Sequence, residues 1–179
     1  INLMIAVSKA VSDEDLRVAA EYFASLKPQP WIRTSETDTV PKTRVGGWML
    51  IAAEGGGTEP IAQRVIEMPE DLERTELRDP ASGFIAYVPP GSLRNGKRLA
   101  EGAGGKTTAC AVCHGEGLKG LGPVPALAGR SPSYLFRQLF DFKHGKRNGL
   151  WGELMKPIVA SLSEEEMVAL SAYAASLAP

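Results

Sequence analysis

The stretch CAVCHGEGLKGLGPVPALAG, residues 110–129, constrains this chain more than any other. It contains both cysteines of the sequence, Cys110 and Cys113, and His114 follows directly. A dithiol redox site could use this spacing, but it normally accompanies a βαβ pattern, which this Gly- and Pro-rich segment lacks. A structural zinc site needs four ligands, and the distant His144 would complete a poor set. The third arrangement is C-x-x-C-H, the attachment motif of c-type haem.

Covalent haem attachment is the hypothesis that uses every side chain of this motif. Each thiol adds across a vinyl group of the haem to form a thioether, and the short turn then brings the adjacent imidazole to the iron. The sequence therefore predicts one covalent haem c, held by Cys110, Cys113 and His114. A chance occurrence of the motif in a loop is the competing interpretation.

The residues after the motif resemble the class I cytochromes c, in which Pro-x-Leu-x-Gly follows the attachment motif at about this distance. Here the matching residues are PALAG, 125–129. The resemblance implies that the Pro125 carbonyl accepts a hydrogen bond from His114 and that Leu127 packs on the haem. An acceptor of this kind fixes the tautomer of the ligating histidine and raises its basicity. A plain turn is the alternative for Pro125, because proline is common in turns.

Two helices are predicted after this site. Apolar residues recur with helical spacing over residues 131–145, and Ser131 or Ser133 is a suitable N-cap. In the closing segment, Ser163 and Glu166 form a capping box. The buried face of this last helix is expected to consist of Met167, Leu170, Tyr173, Ala174 and Leu177.

The predicted last helix also carries part of the resemblance. In class I cytochromes c it crosses the first helix of the domain at a close contact between a glycine and an aromatic residue. Gly96 is the matching glycine, opposite Leu170 and Tyr173. The aromatic residue usual on the first helix is replaced by Ala100, so the match is weaker there.

The sixth iron ligand has two candidates, Met155 and His144. The resemblance implies Met155, which lies just before the last helix, where the family has its distal methionine. His144 lies where a helix is predicted to end, a position that favours a cation. We favour His114 and Met155 as the metal ligands, a pair that raises the reduction potential relative to two histidines. Met167 faces the predicted helix core and is interpreted as a packing residue.

An internal repeat links the two ends of the chain. Residues 3–28 align without a gap on residues 154–179, and both segments begin with Leu-Met and end with Ala-Ser-Leu-x-Pro. The chain thus resembles the tandem two-haem class I cytochromes c. Residues 1–28 place Met4 opposite Met155 but contain no C-x-x-C-H, so Met4 is not assigned to iron.

These patterns predict three parts. Residues 1–28 are a terminal-helix remnant of a first cytochrome domain, residues 29–89 are a linker, and residues 90–179 are an all-α class I cytochrome c domain with one covalent haem. We expect the linker to be mostly irregular. Its partly alternating apolar stretches, RVGGWMLIAA, QRVIEMP and GFIAYVPPG, allow a short two-stranded piece.

Charge and hydropathy exclude several classes of partner. The chain has 20 Lys and Arg against 21 Asp and Glu, so its overall charge gives no argument for nucleic acid. No apolar run approaches the roughly 20 residues of a membrane span. The first residues lack the basic front and the cleavage site of a signal peptide. Because the resemblance implies maturation in the bacterial periplasm, we expect a leader to have been removed.

The function implied by the resemblance is electron transfer without catalysis, either as an independent carrier or as a subunit of an oxidoreductase. One electron would pass between redox partner proteins through small, transient contacts. Lys143, Lys146 and Arg147 could form a basic docking patch, although an ordinary solvated surface accounts for them as well. The alternative is a haem enzyme or sensor with a labile sixth ligand, which reduces peroxide or binds a small gas.

Overall fold

The computed structural model describes residues 2–179 of the chain. Its eight helices are α1 (Asn2–Ala10), α2 (Asp13–Ser25), α3 (Leu72–Glu76), α4 (Ser92–Ala100), α5 (Ala111–His114), α6 (Pro132–Lys143), α7 (Lys156–Val159) and α8 (Glu164–Ser176). Its seven strands are β1 (Ile32–Glu36), β2 (Thr39–Pro41), β3 (Thr43–Gly46), β4 (Met49–Ala52), β5 (Thr58–Pro60), β6 (Ile66–Pro69) and β7 (Phe84–Val88). Short 3₁₀ turns cover Glu116–Leu118 and Leu150–Leu154.

The two helices predicted near the C-terminus are confirmed, and serine caps explain where they begin. Before α6, the Ser131 hydroxyl accepts a hydrogen bond from the Tyr134 amide at 3.1 Å. Before α8, the Ser163 hydroxyl accepts from the Glu166 amide, and the Glu166 carboxylate accepts from the Ser163 amide in return. This capping box satisfies two amides that the first turn of a helix leaves without partners.

Helices α4 and α8 cross at Gly96. A Cβ atom on Gly96 would lie 2.0 Å from the carbonyl oxygen of Ala169 and 2.7 Å from the Cβ of Tyr173. Only glycine therefore allows the two backbones to approach so closely. The predicted contact of Gly96 with Tyr173 is present, whereas the nearest backbone atom belongs to Ala169 and not to Leu170.

Helix α8 is buried on two sides. Met167, Leu170 and Ala174 contribute to the core of the C-terminal region. Val168 and Ala172, about half a turn round the helix, are also buried, and α8 packs against β1 as well as against α4 and α6. The sequence analysis predicted only the first of these buried faces.

The segment between the repeats contains an ordered set of strands, which corrects the prediction of a mostly irregular linker. Strand β1 pairs in parallel with β7, and β6 pairs with the other side of β7 in the antiparallel direction. The pairs β2–β5 and β3–β4 are antiparallel. We call residues 32–88 the β segment. The all-α description therefore holds for the C-terminal helices but not for the chain.

The β segment is stabilised by apolar residues of its own. Val40, Ile61 and Ile66 are buried together, and half-buried side chains pack around them. Strand β7 alternates between buried and half-buried residues, as expected for a central strand with period two. Apolar side chains brought together from distant positions thus make a small core in a stretch that is rich in loop-forming residues.

Helices α1 and α2 lie at the surface with no buried residue. Helix α2 begins after Ser12, whose hydroxyl accepts from the Asp15 amide, as in the repeat at α8. Its apolar side chains are nevertheless exposed, Phe23 by 68%. None of the helices within residues 2–179 combines the length and the apolar character needed to cross a membrane.

Candidate haem-binding site

Both thiols of the C-x-x-C-H motif lie on or beside the short helix α5. Cys110 precedes its first residue, and its amide donates to the carbonyl of Ala100 at 2.9 Å, which ties the motif to the end of α4. Cys110 is half-buried and Cys113 is exposed, and neither forms a disulfide. Two thiols three residues apart on one helical turn face similar directions, which suits attachment to a single flat group.

His114 is buried, and its ring is oriented by the loop that follows. The Nδ1 atom lies 2.8 Å from the carbonyl oxygen of Pro125. Because a carbonyl can only accept, Nδ1 must carry the proton of this hydrogen bond. The bond therefore orients the ring and leaves Nε2 as the nitrogen that could bind a metal.

The turn after His114 requires glycine. Gly115 has a φ of +75°, and a Cβ atom there would lie 2.4 Å from the carbonyl oxygen of Gly120. The Gly120 amide in turn donates to the His114 carbonyl at 2.7 Å. The loop then returns, and the amides of Leu127 and Ala128 both donate to the carbonyl of Leu118. These bonds bring Pro125 back to the histidine.

Apolar clusters surround the motif on two sides. The first cluster contains Leu99, Phe142 and Met167 and includes the half-buried Met155 at its edge. The second contains Leu118, Ala128 and Leu135, with the half-buried Leu127 at its edge. Cys110 packs against both clusters. The six residues predicted for the site thus converge on one region of the fold.

The other candidate ligands lie elsewhere. His144 is exposed at the end of α6, where its Nδ1 atom lies 2.8 Å from the Phe140 carbonyl and its ring stacks on that of Phe140 at 4.0 Å. Met167 is fully buried in the core, as predicted for a packing residue. Met4 is 66% exposed on α1, apart from the site.

The basic side chains of the suggested docking patch are Lys143, Lys146 and Arg147. The Lys143 ammonium donates to the Leu162 carbonyl. The Arg147 guanidinium lies over the Phe142 ring at 4.7 Å and donates to Gln138. Two of the three basic side chains are thus engaged within the chain, which favours a structural role for them.

The two competing interpretations of the cysteines gain no support. Burial raises the pKa of the Cys110 thiol, whereas thiols of dithiol redox enzymes are activated by a lowered pKa. Over residues 2–179, no three His, Cys, Asp or Glu side chains are grouped so that they could hold a metal ion. The donors that are present, two thiols and one oriented imidazole, match a c-type haem.

This donor set on a turn between packed helices defines a c-type haem domain, and comparison with known proteins identifies its family. Residues 94–178 match the family model described as Cytochrome c. Cytochrome c-554(547) of Halothiobacillus neapolitanus is 41% identical over 88 residues, which cover 43% of this chain and 97% of that protein. The chain therefore belongs to the cytochrome c family, and the resemblance to the class I cytochromes c is confirmed. Membership implies covalent haem c.

Longer relatives match as well. Cytochrome c4 of Stutzerimonas stutzeri is 31% identical over 134 residues, which cover 66% of this chain and 63% of that protein. A protein named thiosulfate dehydrogenase electron acceptor, from Stutzerimonas stutzeri strain A1501, is 42% identical over 73 residues, or 40% of this chain and 32% of that protein. The chain thus spans less than two thirds of the length of these two relatives.

One residue that contacts the segment after the haem motif was not predicted from the sequence. Glu67, on β6, accepts hydrogen bonds from the Ser131 hydroxyl at 2.8 Å and from the Ser133 amide at 2.6 Å. It thus contacts the N-terminus of α6 from a position 64 residues earlier in the chain. No local pattern identifies such a contact, because it depends on how the β segment is placed against the C-terminal helices.

Proposed function

We propose that this chain transfers single electrons between redox proteins through one haem c attached to residues 90–179. Cys110 and Cys113 would hold the haem, and His114 and Met155 would bind its iron. When bound, the haem supplies an iron atom that alternates between Fe(III) and Fe(II). The observation that supports this assignment best is the buried His114, whose Nδ1 atom lies 2.8 Å from the carbonyl oxygen of Pro125.

Each of the remaining site residues has a role that follows from its chemistry. The Pro125 carbonyl keeps the proton on Nδ1, so that Nε2 stays available and more basic. The Met155 thioether is a soft, neutral ligand that favours Fe(II) relative to a second histidine. Leu127 and Phe142 supply apolar surface that keeps water away from the site. A filled sixth position leaves no room for oxygen chemistry, so we assign electron transfer and no catalysis.

The redox partner that we propose is an oxidoreductase that passes its electrons to this chain. The support is the 42% identity to the protein named thiosulfate dehydrogenase electron acceptor. We place the chain in the bacterial periplasm, because attachment of haem c takes place outside the cytoplasmic membrane and the relatives described above are bacterial cytochromes.

We also propose that residues 1–28 correspond to the end of a first cytochrome unit. The support is the gapless repeat and the exposed apolar stripe of α2. At the positions of the buried Val168 and Ala172 on α8, α2 has Arg17 and Glu21. The second buried face of α8 is therefore polar in α2, whereas the positions that match the core face of α8 stay apolar. Such a one-sided stripe is suited to cover a single core.

The sixth ligand can be tested with carbon monoxide on the dithionite-reduced protein. We expect wild type to show no carbon monoxide difference spectrum, because Met155 fills the site, and Met155→Ala to bind carbon monoxide readily. Met68→Ala is a matched control, since Met68 is a half-buried methionine of the β segment and should leave the spectrum unchanged.

Two outcomes would change the assignment. Binding of carbon monoxide by wild type would indicate an open or labile sixth site and would favour a sensor or peroxide-reducing enzyme. Binding by His144→Ala and not by Met155→Ala would make His144 the ligand. The attachment itself is tested separately, since Cys110→Ser with Cys113→Ser should abolish the haem stain that survives denaturing electrophoresis.

A further inference from the structure

Helix α6 is capped by two side chains, and only one of them belongs to its own segment. Ser131 provides the usual cap to the Tyr134 amide. The Glu67 carboxylate, half-buried on β6, accepts from the Ser131 hydroxyl and from the Ser133 amide. Hydrogen bonds to a carboxylate are stronger than those to a neutral oxygen, and a negative charge is favourable at a helix N-terminus. Glu67 thus holds the start of α6 from outside.

Glu67 contacts the end of a short segment, residues 125–131, whose first residue contacts His114. Pro125, whose carbonyl orients His114, lies six residues before Ser131 in the sequence. Between them, the Gly129 amide donates to the Ala174 carbonyl at 3.0 Å. The segment is therefore restrained at Pro125 by His114, at Gly129 by α8, and at Ser131 by Glu67.

The charge of Glu67 is balanced by amide and hydroxyl dipoles and not by a cation. None of the lysines and arginines within residues 2–179 forms an ion pair with it. A carboxylate in a partly buried position is screened less by water than an exposed one. The field of this negative charge favours Fe(III) over Fe(II) at a haem bound to His114.

We infer that Glu67 is a positioning residue for the haem site, through which the β segment lowers the reduction potential. The inference rests on the proposed function, because it needs haem beside His114. Glu67 acts in two ways. It restrains the segment 125–131, and thereby the hydrogen bond from His114 to Pro125, and its charge stabilises the oxidised iron.

A second glutamate of the β segment offers a matched control. The Glu36 carboxylate accepts from the Leu93 amide at 2.8 Å, at the start of α4, where the N-cap Gly91 provides no side chain. The contact of α4 with the haem motif is at its other end, where Ala100 accepts from Cys110. Leu93 and Ala100 are seven residues apart in the helix, a distance of about 10 Å along its axis. Glu36 thus resembles Glu67 in kind but lies at the remote end of its helix.

The experiment compares Glu67→Ala, Glu67→Gln and Glu36→Ala in the haem-loaded protein. The midpoint potential is measured by spectroelectrochemical titration, and amide hydrogen exchange is measured at the N-termini of α6 and α4. Glu67→Ala should raise the potential and speed exchange of the Ser133 amide by about fivefold, the usual effect of a lost cap. Glu67→Gln keeps an acceptor oxygen without the charge, so it should raise the potential by a smaller amount with little change in exchange.

Glu36→Ala should speed exchange at Leu93 and leave the potential at the wild-type value. An unchanged potential in Glu67→Ala, together with faster exchange, would reduce Glu67 to a structural cap and overturn the inference. An equal potential shift in Glu36→Ala would do the same, since it would indicate general destabilisation. If Glu67→Ala fails to fold, the potential of Glu67→Gln decides the charge effect alone. A wild-type protein without covalent haem would instead refute the proposed function, while the exchange data would still test the cap.

Discussion

Replacement of Gly96 by alanine tests the packing on which the C-terminal helices depend. The added Cβ would lie 2.0 Å from the carbonyl oxygen and 2.6 Å from the carbonyl carbon of Ala169. Real contacts of this kind are not closer than 3.0 Å, so α4 and α8 must separate by at least 1.0 Å. The clashing atoms belong to the backbone of Ala169, which cannot move aside by a change of rotamer. Helix α8 also packs against β1, which restricts its retreat.

The cost follows from two opposing contributions. Alanine in place of glycine stabilises a helix interior by about 1 kcal/mol. Overpacking of a tight contact costs about 1–3 kcal/mol, and we take about 3 kcal/mol because the clash is with backbone. The net loss of unfolding free energy is about 2 kcal/mol. For a chain of 179 residues, that loss lowers the melting temperature by about 4–8 °C.

Thermal unfolding followed by far-ultraviolet circular dichroism measures this difference. Gly149→Ala is the control, because no heavy atom lies within 4 Å of its added Cβ and its φ of −62° suits alanine. The control should change stability by no more than about 0.5 kcal/mol. If Gly96→Ala melts at the wild-type temperature, α4 and α8 can separate without loss of stability, and the close contact at Gly96 is not required for the fold.

Three further predictions concern α8. Ser163→Ala removes the N-cap and should cost about 1 kcal/mol in chemical denaturation, whereas an unchanged midpoint would contradict the capping box. Met167→Ala empties a fully buried site and should cost about 2–5 kcal/mol by the same assay, and a loss below about 1 kcal/mol would contradict its burial. Hydrogen bonds from Lys106 and from the Ser163 amide hold the pKa of Glu166 below its usual range. The ionised Glu166 therefore stabilises the fold fully above about pH 4.3, and this stabilisation declines as the pH falls. Lys106→Ala raises that pKa towards its usual value and should therefore weaken the dependence of stability on pH in the acid range, and an unaltered pH profile would refute the pairing.

The features that could be predicted from the sequence have local causes. The C-x-x-C-H motif, the Pro125 carbonyl that returns to His114, and the serine caps at Ser131 and Ser163 all involve residues within a few turns of each other. Hydrogen bonds over such short separations are determined by backbone geometry and side-chain type. The helices α6 and α8 were therefore predicted from local patterns, whereas the contact between His114 and Pro125 was implied by the resemblance to the class I cytochromes c.

The β segment could not be predicted in the same way. Its apolar stretches include β3, β4, β6 and β7 but indicated only one short two-stranded piece. Strand β1 is mostly polar and pairs in parallel with β7 about fifty residues away. Parallel pairing has no tight turn to reveal it. The contact of Glu67 with α6 has the same origin, since it exists only once the β segment has docked.

The repeat separates the contributions of sequence and tertiary structure most clearly. The sequence by itself determined that α2 and α8 are both helices with a serine cap and an apolar face, because caps and periodicity act within one segment. Only the tertiary structure decided that Phe23 is exposed while its counterpart Ala174 is buried. Burial requires a second surface, and the surfaces that cover α8, which are α4, α6 and β1, come from other parts of the chain.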